Sequence, residues 1–470
     1  MRPAQAVQYS YRIQAFGLLR SAVKPRKQSG PGFEAKECAC ARPTLTEVPR
    51  IAGLIIAALL LTLAPAGSAA ENVRAESHVP TAVYCCHGYA NDTVSPYQAA
   101  PFVNWATTDL PDGAIADRLA GIQHTVQYID ASRIYTTDSA YRFVDGGQFA
   151  GAVATNCAGQ PIRTSKPVGY LVDPWKPETV RLLDWSVDHR FNPAYSNYFF
   201  DDVDAYRWDL ANGPPCTGNP PQPWTEPATA KEYADLLSAV RIDATGRAET
   251  PKIVFNGLSM YADKPDMHLV PLYALAAPNV VGGMCEGCYA DNTPDALKNG
   301  IVWQDDLDIE IKTIHLHKIF WDYVRYIAND PNARIYTFAS FMLAWDPNYS
   351  IYQTAYKPAN LGQLHITPET GLVAHDPLKR NVSGVYDLRD PGGTYVREYR
   401  NCYYRALPIG PCAFVVNSDN LPHGAPKLSI TYHHTVALSG GMVLEGGTLS
   451  TSGGELPGVI PPLRGFILTR

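Results

Sequence analysis

The sequence has 470 residues, which is long enough to bury a large core and to form more than one domain. A hydrophobic content of 46% and a charged content of 18% are ordinary for a globular protein and exclude an intrinsically disordered chain. The formal net charge is −6, and it is −12 without residues 1–70, which hold 9 Lys+Arg and 3 Asp+Glu. We therefore expect no nucleic acid partner, because binding to phosphates requires a basic surface.

The first 70 residues differ in composition from the rest. An apolar run from Ile51 to Leu63 follows Arg50, and small residues then lead to Ala70. This order is typical of a signal peptide, here near residues 48–70, and the run is shorter than the about 20 residues that span a bilayer. We expect a secreted protein with no stable membrane insertion after cleavage of the signal. A membrane anchor is the alternative.

Eight of the ten cysteines follow this segment, and an even number in an exported chain predicts disulfides. We expect Cys402 to pair locally with Cys412, and Cys157 to join a second loop through Cys216. The segment C-E-G-C at 285–288 has the C-x-x-C spacing of redox and metal sites, but no second such pair accompanies it. A structural disulfide is therefore favoured over zinc there.

Strand patterns alternate with helical ones through most of the chain. The predicted strands are Thr81–Cys86, Ile122–Ile129, Val168–Val172, Tyr198–Phe200, Lys252–Phe255, Val280–Met284 and Arg334–Phe341. The predicted helices are Pro177–His189, Thr229–Ile242 and Asp305–Ala328. Nearly every strand ends in a polar residue. This alternation predicts an α/β fold, a (β/α)₈ TIM-type barrel whose functional groups follow the carboxyl ends of its strands.

The pattern changes after about residue 395, where helical segments are missing from the sequence. The strand candidates there are Tyr395–Arg405, Ala413–Asn417, Leu428–Tyr432, Met442–Leu444 and Gly465–Leu468. We expect a catalytic barrel at 71–394 and a C-terminal β-rich, sandwich-like module at 395–470. The first strands of this module either complete the barrel or belong to the sandwich.

The stretch Y-S-N-Y-F-F-D-D-V-D-A-Y at 195–206 is central to the functional prediction. An aromatic strand ends in three acids, Asp201, Asp202 and Asp204. Asp is rare inside strands, so these carboxylates are expected at the strand's carboxyl end, where aromatic neighbours desolvate them and raise their pKa. An Asp-rich turn or a helix cap is the alternative.

This run, together with V-V-G-G-M-C-E-G at 280–287, resembles TIM-barrel glycoside hydrolases of the endo-α-1,4-polygalactosaminidase and spherulin-4 type. Those families carry an Asp at one strand end and a Glu at a later one. The segments R-I-Y-T-F-A-S-F-M-L-A-W, T-Y-V-R-E-Y and C-A-F-V-V-N resemble their late strands and C-terminal β module. The resemblance covers roughly residues 80 to 470. It implies a glycoside hydrolase with a carbohydrate substrate.

Hydrolysis of a glycoside requires two carboxyl groups, one protonated and one ionised. We expect Asp202 and Glu286 to form this catalytic pair at two strand ends. Asp201 is the alternative to Asp202, since neighbours on a strand point to opposite faces. Asp201 and Asp204 are otherwise expected to be structural or to bind substrate.

Further substrate-binding side chains are expected near this pair. Candidates for binding sugar hydroxyls are Asp130, Asp173 and Asn256, with turn or cap roles as the alternative. Candidates for stacking on sugar rings are Tyr170, Trp175, Tyr289 and Trp345, with core packing as the alternative.

The sequence predicts no cofactor and no metal. His315 and His317 are two residues apart and do not share a helix face, and nucleotide-binding fingerprints are missing from the sequence. A non-catalytic carbohydrate-binding or cell-wall-associated barrel is the second hypothesis.

Overall fold

The structure is a computed structural model, and it describes fourteen segments of the chain. These are residues 78–83, 96–108, 111–135, 141–165, 168–189, 195–203, 213–242, 250–258, 271–290, 297–325, 330–355, 366–439, 448–451 and 454–470. The predicted signal peptide lies outside them, as do Cys85, Cys86, Asp204 and the strand candidate at 442–444. Within these segments, every helix is too short or too polar to cross a membrane.

The described strands are numbered in chain order. The first fourteen are β1 Thr81–Val83, β2 Val103–Thr108, β3 His124–Asp130, β4 Arg133–Tyr135, β5 Thr155–Asn156, β6 Arg163–Ser165, β7 Val168–Leu171, β8 Asn197–Asp201, β9 Pro215–Thr217, β10 Gln222–Pro223, β11 Ile253–Asn256, β12 Val280–Glu286, β13 Ile319–Arg325 and β14 Ser350–Ala355. The others are β15 Leu372–Pro377, β16 Tyr395–Tyr404, β17 Leu407–Asn417, β18 His423–Gly424, β19 His434–Ser439, β20 Thr448–Thr451, β21 Val459–Ile460 and β22 Arg464–Thr469.

The α-helices are numbered in the same way. They are α1 Pro96–Ala99, α2 Pro111–Ala120, α3 Tyr141–Val144, α4 Pro177–His189, α5 Glu226–Ala239, α6 Pro271–Leu275, α7 Gly300–His315 and α8 Pro331–Ala344. Short 3₁₀ turns lie at Ala150–Ala152, Pro368–Gly371 and Val385–Leu388.

Eight parallel strands form a nearly closed barrel in the order β1-β2-β3-β8-β11-β12-β13-β14. The last strand returns to the first, where the backbone N–H of Tyr352 donates to the carbonyl oxygen of Pro80 at 3.0 Å. Helices α2, α5, α6, α7 and α8 each precede a barrel strand in the chain. This architecture confirms the predicted α/β barrel class.

Alternate residues of the barrel strands point inward and outward, as the period of a strand requires. The inward side chains form a small apolar cluster, made of Ala82, Trp105, Val126, Phe199, Val254, Met284, Trp321, Tyr323 and Ile351. The rings of Phe199 and Trp321 meet edge to face within it, with centroids 5.6 Å apart. Outward residues such as Phe200, Phe255 and Phe320 join the larger core beneath the helices.

An insertion follows β3 and carries two small antiparallel sheets, β4-β7-β6 and β10-β9-β5. A disulfide between Cys157 and Cys216, with Cα atoms 5.1 Å apart, ties the two parts of the second sheet together. The predicted third barrel strand, Val168–Val172, lies here. It is wrong as a barrel strand because β7 pairs antiparallel with β4 and β6.

The C-terminal region is a six-stranded antiparallel sheet, β15-β16-β17-β22-β19-β20, beside the small β18-β21 pair. Cys402 and Cys412 form a disulfide across β16 and β17. The end of α8 contacts this sheet through hydrogen bonds: Arg397 Nη1 donates to the Leu343 carbonyl at 3.0 Å, and Tyr399 Oη to that of Met342 at 2.7 Å. All eight barrel strands precede residue 356, so the barrel is formed without the C-terminal strands.

Three further element predictions are wrong, and each has a local cause. Arg334–Phe341 is part of helix α8, which begins where the Asp330 carboxylate accepts from the backbone N–H of Asn332 at 2.8 Å. Because most of α8 is buried, its sequence has no polar face and resembles a strand. The predicted long helix ends at His315 and gives way to β13, and Leu428–Tyr432 forms no strand.

A substitution at Gly282 tests how closely β12 packs against β13. A Cβ atom at this position would stand 2.5 Å from Ile319 Cβ and closer still to the Ile319 carbonyl oxygen. We expect Gly282→Ala to lower the free energy of unfolding by about 1–3 kcal/mol, because the two strands must separate locally. Urea unfolding measures this change. Gly424→Ala is the control, since a Cβ there meets nothing within 4 Å; an equal loss in both variants would contradict the packing argument.

Candidate active site

Four polar side chains lie where adjacent barrel strands end. Asp130 ends β3, Asp201 ends β8, Asn256 ends β11 and Glu286 ends β12. Each of the last three stands two residues after an inward side chain, namely Phe199, Val254 or Met284. Because alternate residues share a face, these three polar groups also point into the mouth of the barrel.

Asn256 bridges two carboxylates. Its Nδ2 donates to Asp201 Oδ1 at 2.8 Å and to Glu286 Oε2 at 2.6 Å. These two oxygens therefore lie no farther apart than the sum of the two lengths. Asn256 is fully buried, whereas Glu286 is partly open to solvent.

Asp201 is held by three donors. Tyr128 Oη donates to Oδ2 at 2.5 Å, and the backbone N–H of Asp202 donates to Oδ1 at 2.9 Å, beside the bond from Asn256. Hydrogen bonds from several sides stabilise a carboxylate anion and fix its orientation. Asp201 is thus a buried, preorganised carboxylate next to the more accessible Glu286.

Asp202 has a different environment. Its backbone is in the left-handed region, with φ at 51°, and its carboxylate pairs with the guanidinium of Arg133. Arg133 is itself buried and also contacts Asp130, with Nε 3.1 Å from Oδ2. The structure brings Asp202 next to this cation and Glu286 next to Asn256 and Asp201.

The carboxylate of Asp130 is saturated with hydrogen bonds. The backbone N–H groups of Ser132 and Arg133 donate to Oδ1 at 3.0 and 2.8 Å, and Tyr135 Oη donates to Oδ2 at 2.6 Å. Burial raises the pKa of Asp130, and the guanidinium of Arg133 opposes this shift. These contacts fix the turn between β3 and β4 and support the turn role that the sequence left open.

Three further candidates lie in the insertion instead of at a barrel strand end. Asp173 follows β7 and is buried, and its Oδ1 accepts from the backbone N–H of Trp175 at 3.0 Å. The ring of Trp175 is half-buried against Trp224, with centroids 4.8 Å apart. Tyr170, on β7, is buried and donates to Asp145 at 2.8 Å.

The proposed stacking roles of Tyr289 and Trp345 do not fit their surroundings. The ring of Tyr289 is fully buried in the core outside the barrel and its hydroxyl donates to Glu310. Trp345 follows α8 and its Nε1 donates to the Ala374 carbonyl at 2.8 Å, in the layer between helix and C-terminal sheet. Both rings are therefore part of the hydrophobic core, which was the alternative prediction for each.

Three residues around the site, Tyr128, Arg133 and Tyr135, were not predicted from the sequence. A signal existed for Tyr128, because it stands two residues before Asp130 and two after Val126, an inward residue. The residues Arg133 and Tyr135 reach their partners across a turn and a strand, which the local sequence pattern does not indicate. Asp204 lies outside the described residues.

The arrangement provides two carboxyl groups of unequal exposure, held by one amide at the open end of a barrel. Such a pair suits a reaction that needs one ionised and one protonated carboxyl group. In the described part of the chain, the one group of three possible metal ligands contains Cys285, Cys288 and Asp306, on the opposite side of β12 from Glu286.

The sequence matches no known protein-family model and no curated protein. Solved structures with some similarity include the glycoside hydrolase domain of PelA from Pseudomonas aeruginosa, at 12% identity and a TM-score of 0.38, over 60% of this chain and 98% of that one. Aspergillus fumigatus Ega3 in complex with galactosamine is 11% identical with a TM-score of 0.35, over 61% and 93%. The isomalto-dextranase of Arthrobacter globiformis T6 with panose is 12% identical with a TM-score of 0.41, over 87% and 75%.

The carboxyl group of Asp173 should make the stability of the protein depend on pH. Burial raises the pKa of its carboxyl to about 6, partly offset by the hydrogen bond from Trp175. A raised pKa means that the folded state binds the proton more tightly, so this contribution to stability is present at low pH and is lost as pH rises through about 6. We expect Asp173→Asn to flatten the stability profile between about pH 4 and pH 6, measured by urea unfolding.

The matched control is Asp188→Asn, at an exposed position on α4. It should leave the profile unchanged. A profile of Asp173→Asn that parallels the wild type would contradict the raised pKa.

Proposed function

We propose that this protein is a secreted glycoside hydrolase that cleaves a polysaccharide or oligosaccharide with Asp201 and Glu286 as its carboxyl pair. The observation that carries the proposal is the double hydrogen bond of Asn256, which joins these two side chains at the C-terminal end of a parallel barrel. The resemblance of the runs at 199–204 and 280–287 to glycoside hydrolases supports the same conclusion.

We assign the ionised role to Asp201 and the proton-transferring role to Glu286. Asp201 accepts three hydrogen bonds, which favours a nucleophilic carboxylate over a proton donor. Glu286 is partly open to solvent, so it can exchange protons with water between the steps of the reaction.

Asp201 replaces Asp202 as the preferred member of the pair. The carboxylate of Asp202 is engaged by Arg133, and a charge neutralised by a buried guanidinium is a poor nucleophile and a poor acid. Asp202 and Asp130 are instead proposed to hold Arg133 and thereby the loop that borders the site.

The spacing of the pair favours retention of the anomeric configuration. The nearest oxygens of Asp201 and Glu286 are separated by no more than the sum of 2.8 and 2.6 Å. This upper limit on the oxygen–oxygen distance lies below the about 6.5–9.5 Å between the carboxyl groups of inverting enzymes and is compatible with the about 5–5.5 Å of retaining ones. A covalent glycosyl–Asp201 intermediate, hydrolysed by water that Glu286 activates, follows from this spacing.

The decisive experiment is a polysaccharide panel. The protein is incubated with neutral, acidic and amino-sugar polymers, and the release of reducing ends is measured. We expect release from at least one polymer. Binding to a polymer without any release of reducing ends would favour the non-catalytic carbohydrate-binding barrel instead.

Substitutions in the pair test the assignment of roles. We expect Asp201→Asn and Glu286→Gln each to lower kcat by about 10²- to 10⁴-fold, because an amide neither ionises nor donates a carboxylic proton. Asn256→Ala should lower kcat by about 10²-fold through misplacement of both carboxyls. Asp202→Asn is the matched control at the next residue, and it should reduce stability more than turnover. A folded Asp202→Asn variant with the larger loss of kcat would return the catalytic role to Asp202.

The stereochemical outcome is a separate prediction. Proton NMR of the first product formed should show the anomer of the substrate, because the proposed spacing is that of a retaining pair. Initial release of the opposite anomer would establish inversion and exclude a glycosyl–Asp201 intermediate.

A further inference from the structure

A group of two cysteines and two carboxyl groups lies on the outer side of the barrel, under helix α7. Cys285 of β12 and Asp322 of β13 are direct neighbours in the strand register, and both are fully buried. Trp321 and Tyr323 point into the barrel, so Asp322 between them points outward. Cys285 likewise belongs to the core outside the barrel.

The donor atoms of this group are close together. The sulfur atoms of Cys285 and Cys288 and a carboxylate oxygen of Asp306, on the buried side of α7, all lie within 4.8 Å of one another. The two cysteines form a disulfide, with Cα atoms 5.5 Å apart. Asp306 Oδ2 also accepts from Lys298 Nζ at 2.8 Å and from the backbone N–H of Tyr289 at 3.1 Å.

Asp322 supplies a second, independent observation. Its side chain is fully buried, and neither of its carboxylate oxygens has a hydrogen-bond partner among the residues that the structure describes. An ionised carboxyl group in such a position is costly unless a cation or donor meets it. Its neighbour in the adjacent strand, Cys285, is already one of the three clustered donors.

We propose that, in the dithiol state, this group binds one Zn²⁺ through Cys285, Cys288 and Asp306, and that Asp322, which lies outside the 4.8 Å group in the disulfide state, moves in as the fourth ligand. Zinc favours four ligands drawn from thiolates, imidazoles and carboxylates, and C-x-x-C is a recurrent spacing in its sites. The charges also suit the ion. Zn²⁺ and Lys298 carry three positive charges against four anionic donors, so the site has a net charge of about −1. A Zn²⁺ site of four thiolates has a net charge of about −2.

The disulfide and the zinc site are alternative states of the same two cysteines. A thiol reductant supplies two electrons and two protons to the Cys285–Cys288 bond, gives two thiols, and is itself oxidised to a disulfide. Zinc binding then displaces both thiol protons to solvent, since the thiolate is the ligand. The oxidised protein should therefore bind no zinc at this position.

The test uses the full-length protein, reduced by a thiol under nitrogen and dialysed against Zn²⁺. We expect one more equivalent of zinc, measured by elemental analysis, than in the oxidised protein. Replacement with Co²⁺ should give the thiolate-to-cobalt charge-transfer absorption and the visible bands of a tetrahedral site. One equivalent of bound cobalt without the charge-transfer absorption would overturn the proposal.

Variants locate the site. Cys285→Ser/Cys288→Ser and the isosteric Asp306→Asn should each lose the additional equivalent, with circular dichroism confirming that they fold. Lys298→Met, which removes the donor behind Asp306, should raise the zinc Kd by about 10- to 100-fold.

The matched control is Cys402→Ser/Cys412→Ser, which removes a disulfide that has no clustered carboxylate among the described residues. It should keep the additional zinc. Equal zinc in the reduced wild type and in the Cys285→Ser/Cys288→Ser variant would refute the site. These readouts do not depend on glycosidase activity, so they succeed or fail apart from the proposed function.

Discussion

One amide nitrogen, Nδ2 of Asn256, holds the two carboxylates on which the proposed chemistry depends. It reaches both because β11 lies between β8 and β12 in a parallel sheet and all three strands end at the same edge. An antiparallel neighbour would bring its opposite end to this edge, and a shift of register by one residue would turn Asn256 outward. The tightly packed aromatic interior below the site resists both changes, since Phe199 and Trp321 meet within it. The relative positions of Asn256 and the two carboxylates therefore depend on the register of the strands.

The same alternation places Asp201 and Asp202 in different environments. Asp201 lies on the inward face and meets Asn256, whereas Asp202 turns through a left-handed backbone conformation and meets Arg133. Arg133 also forms an ion pair with Asp130. One buried cation therefore holds the ends of the neighbouring strands β3 and β8 together. Two carboxylates adjacent in sequence thus lie in different environments: Asp201 is proposed for the reaction, and Asp202 pairs with Arg133.

The sequence could predict the barrel and the identity of most polar strand ends, but not which acid faces inward. Tyr198, Phe199 and Phe200 are all apolar because this strand is covered on both sides, so they give no polarity from which to assign a face. For the same reason the buried helix α8 was predicted as a strand. Contacts made across the chain, such as Tyr128 with Asp201, depend on register that a single sequence does not encode locally. The disulfides were easier: the local pair Cys402–Cys412 and the long-range pair Cys157–Cys216 were both predicted, and both form.

Strand β12 connects the two sites, because consecutive residues serve opposite faces of it. Glu286 points into the mouth of the barrel, and Cys285 points to the acids under α7. A bond or a metal ion that fixes Cys285 must also restrain the backbone that carries Glu286, since only one peptide unit separates them. Burying the carboxylates of Asp306 and Asp322 beneath a helix costs free energy. A cation or a hydrogen-bond donor beside them offsets this cost. The group of cysteines and carboxyls under α7 is thus coupled, through the backbone of β12, to the position of Glu286, the proposed acid.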